Sequence, residues 1–345
     1  MKLGVHVGYV VSRDHLFEQL KTVKAAEELG FDSVWTAEAY GSDAATPLAW
    51  FASQTERVKL GAAIFQIPGR TPGNAAMTAT TLDCLSDGRF ILGLGSSGPQ
   101  VAEGWHGQPF AHQLQRTREY IAILRKALSG ERVEFDGEIY KLPLPDGLGK
   151  PLKIMLPPVQ KNMPIYLAAI GPKNTQLAGE LADGWLPYLY APEHAEALNA
   201  NLKEGAERGG RTLDDIAISP SVFAATGDIP IEELRNQIRP IIALYVGGMG
   251  ARSKNFYNRL VSTYGFEEQA KKIQDLYLDH KQGEAMAAVP DELIDLVSLV
   301  GTKDQVRDRI NAYRDVGVDN LLISPMSFDE GGRREILKTV AEAAA

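Results

Sequence analysis

Short apolar strand-like runs alternate with amphipathic helix-like segments along almost the whole chain, and this alternation leaves few folds open. The segment Val58–Gln100 shows the unit most clearly. Val58–Gln66 is a nearly unbroken apolar run, as expected of a strand buried on both faces of a parallel sheet. Arg70-Thr71-Pro72 punctuates it, with Pro72 suited to the first turn of a helix. Gly88 offers the left-handed residue that closes that helix, and Arg89–Leu94 is the next strand. Gly93, Gly95 and Gly98 then match G-x-G-x-x-G by letter. A dinucleotide fingerprint needs a helix to start inside the loop, however, and helical periodicity is expected to resume only near Arg116.

The rhythm continues along the chain on both sides of this unit. Strands are expected at Lys2–Val7, Ser33–Thr36, Arg89–Leu94, Ile165–Ile170, Trp185–Leu189, Ile216–Ala224 and Asn320–Ser324. Helices are expected at His15–Leu29, Pro47–Glu56, Gly73–Leu85, Arg116–Leu128, Asn174–Leu181 and Glu193–Arg208. Eight strands joined by helix-bearing crossovers define an α/β chain of (β/α)8 TIM-barrel type, with an open doubly wound sheet as the alternative. Two stretches break the pattern. One spans 131–163, with a hairpin-like Phe135-Asp136-Gly137-Glu138, and the other spans 230–302 and is expected to hold several helices. Both read as walls or lids at one end of the barrel, or as an oligomer interface.

Composition narrows the function. The 345 residues are 44% hydrophobic, enough for one large core, and the net charge of −8 comes without clustered Lys or Arg. That argues against nucleic acid and anionic membranes as partners. A single cysteine, Cys84, excludes an intrachain disulfide and suits a reducing, cytoplasmic setting. No His/Cys/Asp cluster has metal-ligand spacing.

Active sites of this fold gather at the C-terminal strand ends. There the chain places His6–Tyr9, Thr36–Tyr40, Gln66–Arg70, Gly95–Gln100, Ala169–Asn174, Tyr188–Tyr190 and Ser324–Met326. Glu38 is the one carboxylate at the end of an otherwise apolar strand. It reads as a general acid or base, or as half of an internal ion pair. Tyr40 and His106 are candidate proton donors or pocket walls. Gly171-Pro172-Lys173-Asn174 opens a helix and reads as a phosphate cradle or as ordinary cap chemistry with a surface lysine.

These motifs resemble the bacterial-luciferase-like family of flavin and deazaflavin barrels. The likeness rests on Gly30-Phe31-Asp32-Ser33-Val34-Trp35, Ala37-Glu38, Thr81-Leu82-Asp83, Leu85-Ser86, Gly88-Arg89-Phe90, Leu92-Gly93-Leu94-Gly95 and Ala182-Asp183-Gly184-Trp185. Ser97-Gly98-Pro99-Gln100, Glu103-Gly104-Trp105 and Gly247-Gly248-Met249-Gly250 resemble the actinobacterial enzymes assigned to coenzyme F-420, and the whole is similar to methylenetetrahydromethanopterin reductase-like barrels. The resemblance implies one luciferase-like domain over 1–345, with insertions after the fourth helix and the seventh strand. It implies a cis peptide at Ala63–Ile64 behind the cofactor ring. It also implies cofactor contacts at Gly8, Glu38, Ser96, Ser97, Gly98 and Gln100, and a phosphate loop at Ala169, Gly171, Pro172 and Lys173. The implied activity is hydride transfer between F-420 and a small organic substrate, as a reductase. Glu38, Tyr40 or His106 would manage the proton in a homodimer or higher homo-oligomer. Where these deazaflavin enzymes often have Asp-His, this chain has Glu38-Ala39. The alternatives are a reduced-FMN-dependent monooxygenase on the same fold and a non-catalytic flavin-binding protein.

Overall fold

A computed structural model describes all residues, 1–345. Strands β1 (Lys2–His6), β2 (Ser33–Thr36), β3 (Lys59–Ala62), β4 (Phe65–Gln66) and β5 (Phe90–Gly95) alternate with helices α1 (Arg13–Glu28), α2 (Ala45–Ala52) and α3 (Pro72–Leu85). After a one-turn α4 (Pro99–Ala102) and α5 (Gln113–Leu128) comes a small hairpin, β6 (Phe135–Asp136) with β7 (Lys141–Leu142). The alternation resumes with β8 (Ile165–Ala168), α6 (Pro172–Leu181), β9 (Gly184–Leu186), α7 (Ala195–Arg208), β10 (Ala217–Ile218) and β11 (Ser221–Thr226). Helices α8 (Ile231–Ala243), α9 (Phe256–Val261), α10 (Glu267–Leu278), α11 (Gln282–Ala287) and α12 (Asp291–Val297) follow. The chain closes with β12 (Ser298–Gly301), α13 (Lys303–Asp315), β13 (Asn320–Pro325) and α14 (Glu330–Ala344).

The strands form one curled parallel sheet, in the order β10-β9-β8-β5-β3-β2-β1-β13-β11-β12. All C-terminal strand ends therefore lie on one side. Side chains alternate along each strand. Val5, Val34, Leu60 and Leu92 join the large core under the helices, whereas Trp35, Ile91, Tyr166, Leu186 and Leu322 fill the concave face. Each large side chain buried this fully contributes roughly 1.5–3 kcal/mol.

The motifs that carry the family likeness hold this scaffold together. Asp83, fully buried, accepts from the main chain of Val159 (2.6 Å) and Gln160 (3.0 Å) and from the Gln160 amide (2.7 Å). Arg89 donates to Ser86 O, Val58 O, Ala52 O and Thr55 O, and so ties the ends of α2 and α3 to the start of β3. Asp183 accepts from Arg125 (2.6 Å) and from the Ile165 N–H (2.7 Å). Gly88 takes the left-handed conformation (φ 76°) that ends α3, as expected.

Four expectations need correction. The run Val58–Gln66 is not one strand: it breaks at Ala63–Ile64, and β4 pairs with β5 alone. The run Ile216–Ala224 is split at Ser219-Pro220, because Pro220 has no N–H for the ladder. Its first half pairs with β9 and its second with β13 and β12. The four-residue β12 lies inside a stretch expected to be helical, and pairing with β11 overrides its ambiguous SLVG sequence. Helical structure resumes well before Arg116, at Pro99–Ala102 and again at Gln113. The helix at Pro99 is only a single turn, capped by Gly104 and Trp105 N–H bonds to Gln100 and Val101.

Candidate functional site

Three neighbouring strands, β3, β5 and β8, end side by side and build one wall of the cleft. On β3 the Ala63–Ile64 peptide is cis, matching the bond the family likeness singles out. The glycines of β5 make room for this bulge. A β-carbon on Gly93 would overlap the Ala62 carbonyl oxygen, and one on Gly95 would overlap Ile64 Cδ1. Beyond β5, Ser96, Ser97 and Gly98 are partly buried, and Ser97 is left-handed (φ 57°). Beyond β8, Ala169 is buried and its carbonyl accepts from Trp185 Nε1 at 2.9 Å. Gly171 caps α6, Pro172 occupies its first turn, and Lys173 is exposed. The first-turn N–H groups of Lys173 and Asn174 have no intrahelical acceptor, and a β-carbon on Gly171 would meet nothing within 4 Å. That open cradle suits a phosphate group.

Glu38 sits at the centre of a hydrogen-bond network. Its Oε1 accepts from the Gln66 N–H (2.8 Å) and from Arg70 Nη1, and its Oε2 accepts from Arg70 Nη2 (2.9 Å) and the Ala44 N–H (2.9 Å). The Glu38 side chain is 7% exposed and that of Arg70 13%, and the guanidinium also lies over the Phe65 ring. A carboxylate with four donors in place has no free lone pair for a travelling proton. This is the ion-pair alternative of the sequence reading. Gln66 extends the network: its Nε2 donates to Glu38 O (3.1 Å) and Ser97 Oγ (3.4 Å), and its Oε1 lies 2.7 Å from His106 Nε2. His106 thus pins its loop to β4. Gln100, with its amide oxygen toward the facing loop, accepts from Gly250 N (3.2 Å) and Ala251 N (3.1 Å). Gly8 (φ 71°) accepts from Thr36 Oγ1 at 2.7 Å and Ala37 N at 2.9 Å, joining the ends of β1 and β2.

Several groups with no role in the sequence reading also stand here. Arg70 and Gln66 complete the Glu38 network. His6 faces the Ala63 carbonyl through Nε2 (3.5 Å) and Ser324 Oγ through Nδ1 (3.4 Å). Tyr188, Tyr245 and Tyr257 pack together, and Tyr9 stands beside the exposed Tyr40, already a candidate proton donor. Strand-end position was the sequence signal for His6, Tyr9, Gln66, Arg70 and Tyr188, whereas Tyr245 and Tyr257 lay in the 230–302 insertion with none. A surface cavity of about 640 Å³ lies elsewhere, where Arg239 already pairs with Glu232 and Asp291. No group of three or more His, Cys, Asp or Glu side chains is placed to hold a metal, and no helix is long and apolar enough to cross a membrane.

Burial pushes the His6 imidazole down to about 4, against an ordinary value of 6.5, with the Ala63 carbonyl partly offsetting it. Between those values the unfolded chain holds a proton that the folded chain does not. Stability therefore falls as pH drops through this window. Urea unfolding is expected to show His6 costing ~2 kcal/mol between pH 7 and pH 5, a loss that His6→Gln removes. An equal pH dependence in both proteins would refute this.

A curled parallel α/β sheet whose loops gather at the C-terminal strand ends is the scaffold of many α/β enzymes. Residues 2–320 match the family model described as luciferase-like monooxygenase, and the chain belongs to that family. Among its relatives is Rv3520c of Mycobacterium tuberculosis, provisionally described as a coenzyme F-420-dependent oxidoreductase. It is 43% identical over 341 residues, 96% of each chain. A 5,10-methylenetetrahydromethanopterin reductase of Archaeoglobus fulgidus is 30% identical over 89% of this chain and 90% of its own. Among solved structures, the coenzyme F-420-dependent tetrahydromethanopterin reductase of Methanopyrus kandleri superposes with a TM-score of 0.82. It is 24% identical and covers 99% of this chain and 97% of that one, a likeness of fold.

Proposed function

We propose that the protein is an oxidoreductase that transfers a hydride between coenzyme F-420 and a small organic substrate, acting as a reductase. The 43% identity across 96% of both chains to a provisionally described F-420-dependent oxidoreductase carries this reading. The cleft supports it. Neighbouring strands lie about 4.8 Å apart, so the span from the β3 bulge to the α6 loop is roughly 10 Å, within reach of a ribityl chain. On this reading the Ala63–Ile64 main chain backs the ring, and Ser96, Ser97, Gly98 and Gly8 border the ring and ribityl chain. Ala169, Gly171, Pro172 and Lys173 receive the phosphate. The bound deazaflavin supplies the hydride chemistry, and the protein orients the reactants and excludes water. Glu38 and His106 act as positioning residues through Gln66 and Arg70, which leaves Tyr40 as the candidate for handling a proton.

We read the sheet as a (β/α)8 barrel forming one domain over 1–345. The ladder passes from β9 through β10 and β11 to β13 and back to β1, with only Ser219-Pro220 between β10 and β11, and this supports closure. The stretches 131–163 and 230–302 are read as its insertions. The exposed Leu144, Leu148, Leu152 and Met155 of the first support a homodimer or higher homo-oligomer.

The test is fluorescence titration of the apoprotein with F-420 and with FMN. Micromolar binding of F-420 is expected, weakened about fivefold by Lys173→Ala through loss of one exposed charge-assisted contact. Binding of FMN alone would overturn the assignment and favour the monooxygenase alternative.

A further inference from the structure

Five tyrosines from distant parts of the chain meet on the side of the strand ends. Tyr9 and Tyr40 follow β1 and β2, with ring centroids 6.3 Å apart. Tyr188 follows β9, and Tyr245 and Tyr257 come from the helical stretch after β11. Tyr188 and Tyr245 are 4.6 Å apart, Tyr245 and Tyr257 4.8 Å, and Tyr188 and Tyr257 5.8 Å. Tyr188 also stands edge-on to Phe223 of β11 at 5.9 Å.

Two observations mark this wall as a recognition surface. The first concerns the hydroxyls. The tyrosines of the core use theirs internally: Tyr264 donates to Leu189 O, Tyr313 to Tyr190 O, Tyr120 to Arg70 O and Tyr190 to Asn199 Oδ1. None of the five wall hydroxyls hydrogen-bonds the main chain or a core side chain, and Tyr9 lies beside Tyr40 and Tyr188 beside Tyr245. The second concerns charge. Apart from burial, only other tyrosines of the wall perturb Tyr9, Tyr188, Tyr245 and Tyr257, and no Lys or Arg lies over any of these rings. Burial raises all four, so each stays a neutral donor at neutral pH.

We propose that this tyrosine wall selects the substrate, and that the substrate is an uncharged, planar, conjugated carbonyl compound, an aromatic or α,β-unsaturated ketone. This rests on the oxidoreductase reading above. Flat apolar surface matches the rings, and a carbonyl oxygen matches spare hydroxyl donors. A carboxylate or phosphate substrate would be desolvated here with no countercharge. A quaternary ammonium would need converging ring faces. Here the Tyr188–Tyr257 and Tyr245–Tyr257 pairs stand at 75° and 78°, so these rings turn edges and faces to each other.

Isothermal titration of the full chain, with and without F-420, tests this with 2-acetylnaphthalene, naphthalene, 2-naphthoate and trimethyl(2-naphthyl)ammonium. The ketone is expected to bind at least about tenfold tighter than either ion, and about five- to tenfold tighter than naphthalene, from one hydroxyl–carbonyl bond in a buried setting. Tyr188→Phe and Tyr245→Phe, both conservative for folding, should together erase the preference for ketone over naphthalene and leave F-420 affinity within about twofold. Equal or tighter binding of 2-naphthoate or the ammonium would overturn the proposal. So would an unchanged ketone-to-naphthalene ratio in the double variant. If the ketone is discriminated but F-420 does not bind, the cofactor assignment fails and the wall's selectivity stands. If F-420 binds and the ketone is not discriminated, the wall inference alone fails.

Discussion

Arg70→Met is expected to remove about 3–5 kcal/mol of folding stability, read by urea unfolding, because it strands the buried Glu38 carboxylate. Arg70 gives Glu38 two of its four donors, and both side chains are largely withdrawn from water. The two remaining donors, the N–H groups of Gln66 and Ala44, do not balance a full charge at this depth. Arg70→Lys should fall between, since an ammonium cannot reproduce the two-pronged contact. Glu38→Gln/Arg70→Met is expected to cost less than the sum of the single changes, with a coupling of roughly 2 kcal/mol. An Arg70→Met protein within 1 kcal/mol of the parent would refute the account. The same variant should weaken F-420 binding, because Gln66 transmits the position of Glu38 to Ser97 and His106.

Gly93→Ala is expected to be the most damaging single-methyl change, costing about 3 kcal/mol or preventing soluble folding. The added carbon would collide with the Ala62 carbonyl oxygen and also approach Leu186 Cδ1 at 3.2 Å. The Ala62 main chain cannot yield cheaply. Ala62 is the last residue of β3, paired with Thr36, and its carbonyl leads directly into the Ala63–Ile64 bulge. The main chain proposed to back the cofactor ring must therefore shift. F-420 affinity should drop at least about tenfold in any protein that does fold. Gly283→Ala is the control, since a β-carbon there meets nothing within 4 Å, and it should be neutral or slightly stabilising. Wild-type melting and cofactor affinity in Gly93→Ala would show that β3 and β5 do not pack as closely as described.

The Gly93 case gives the physical reason why G-x-G-x-x-G is not a dinucleotide fingerprint in this chain. G-x-G-x-x-G suggested close approach to a ligand phosphate, and two of its glycines instead admit the neighbouring strand. The spacing of glycines can report close approach, but it does not name what approaches. Likewise Asp83, Arg89 and Asp183 carried the family likeness and turn out to be fastenings between α2, α3, β3, β5 and β8. Glu38 was visible as a lone carboxylate after an apolar strand. Its partner lies across two strand ends, and nothing local in either segment pairs them.

The sequence by itself determined the alternation of buried strands and covering helices, the side of the sheet where the strand-end loops gather, the family and the Ala63–Ile64 position. Those depend on short-range patterns: runs of apolar residues, helix punctuation and contiguous motifs. Only the tertiary structure decided that Glu38 pairs with Arg70, that His6 faces the bulge, and that Tyr188, Tyr245 and Tyr257 pack together while Tyr9 joins Tyr40. The reason is physical. A side chain's chemistry is set by the donors, charges and solvent around it. Here those neighbours come from strands and helices far apart in the chain, which only curling of the sheet brings together.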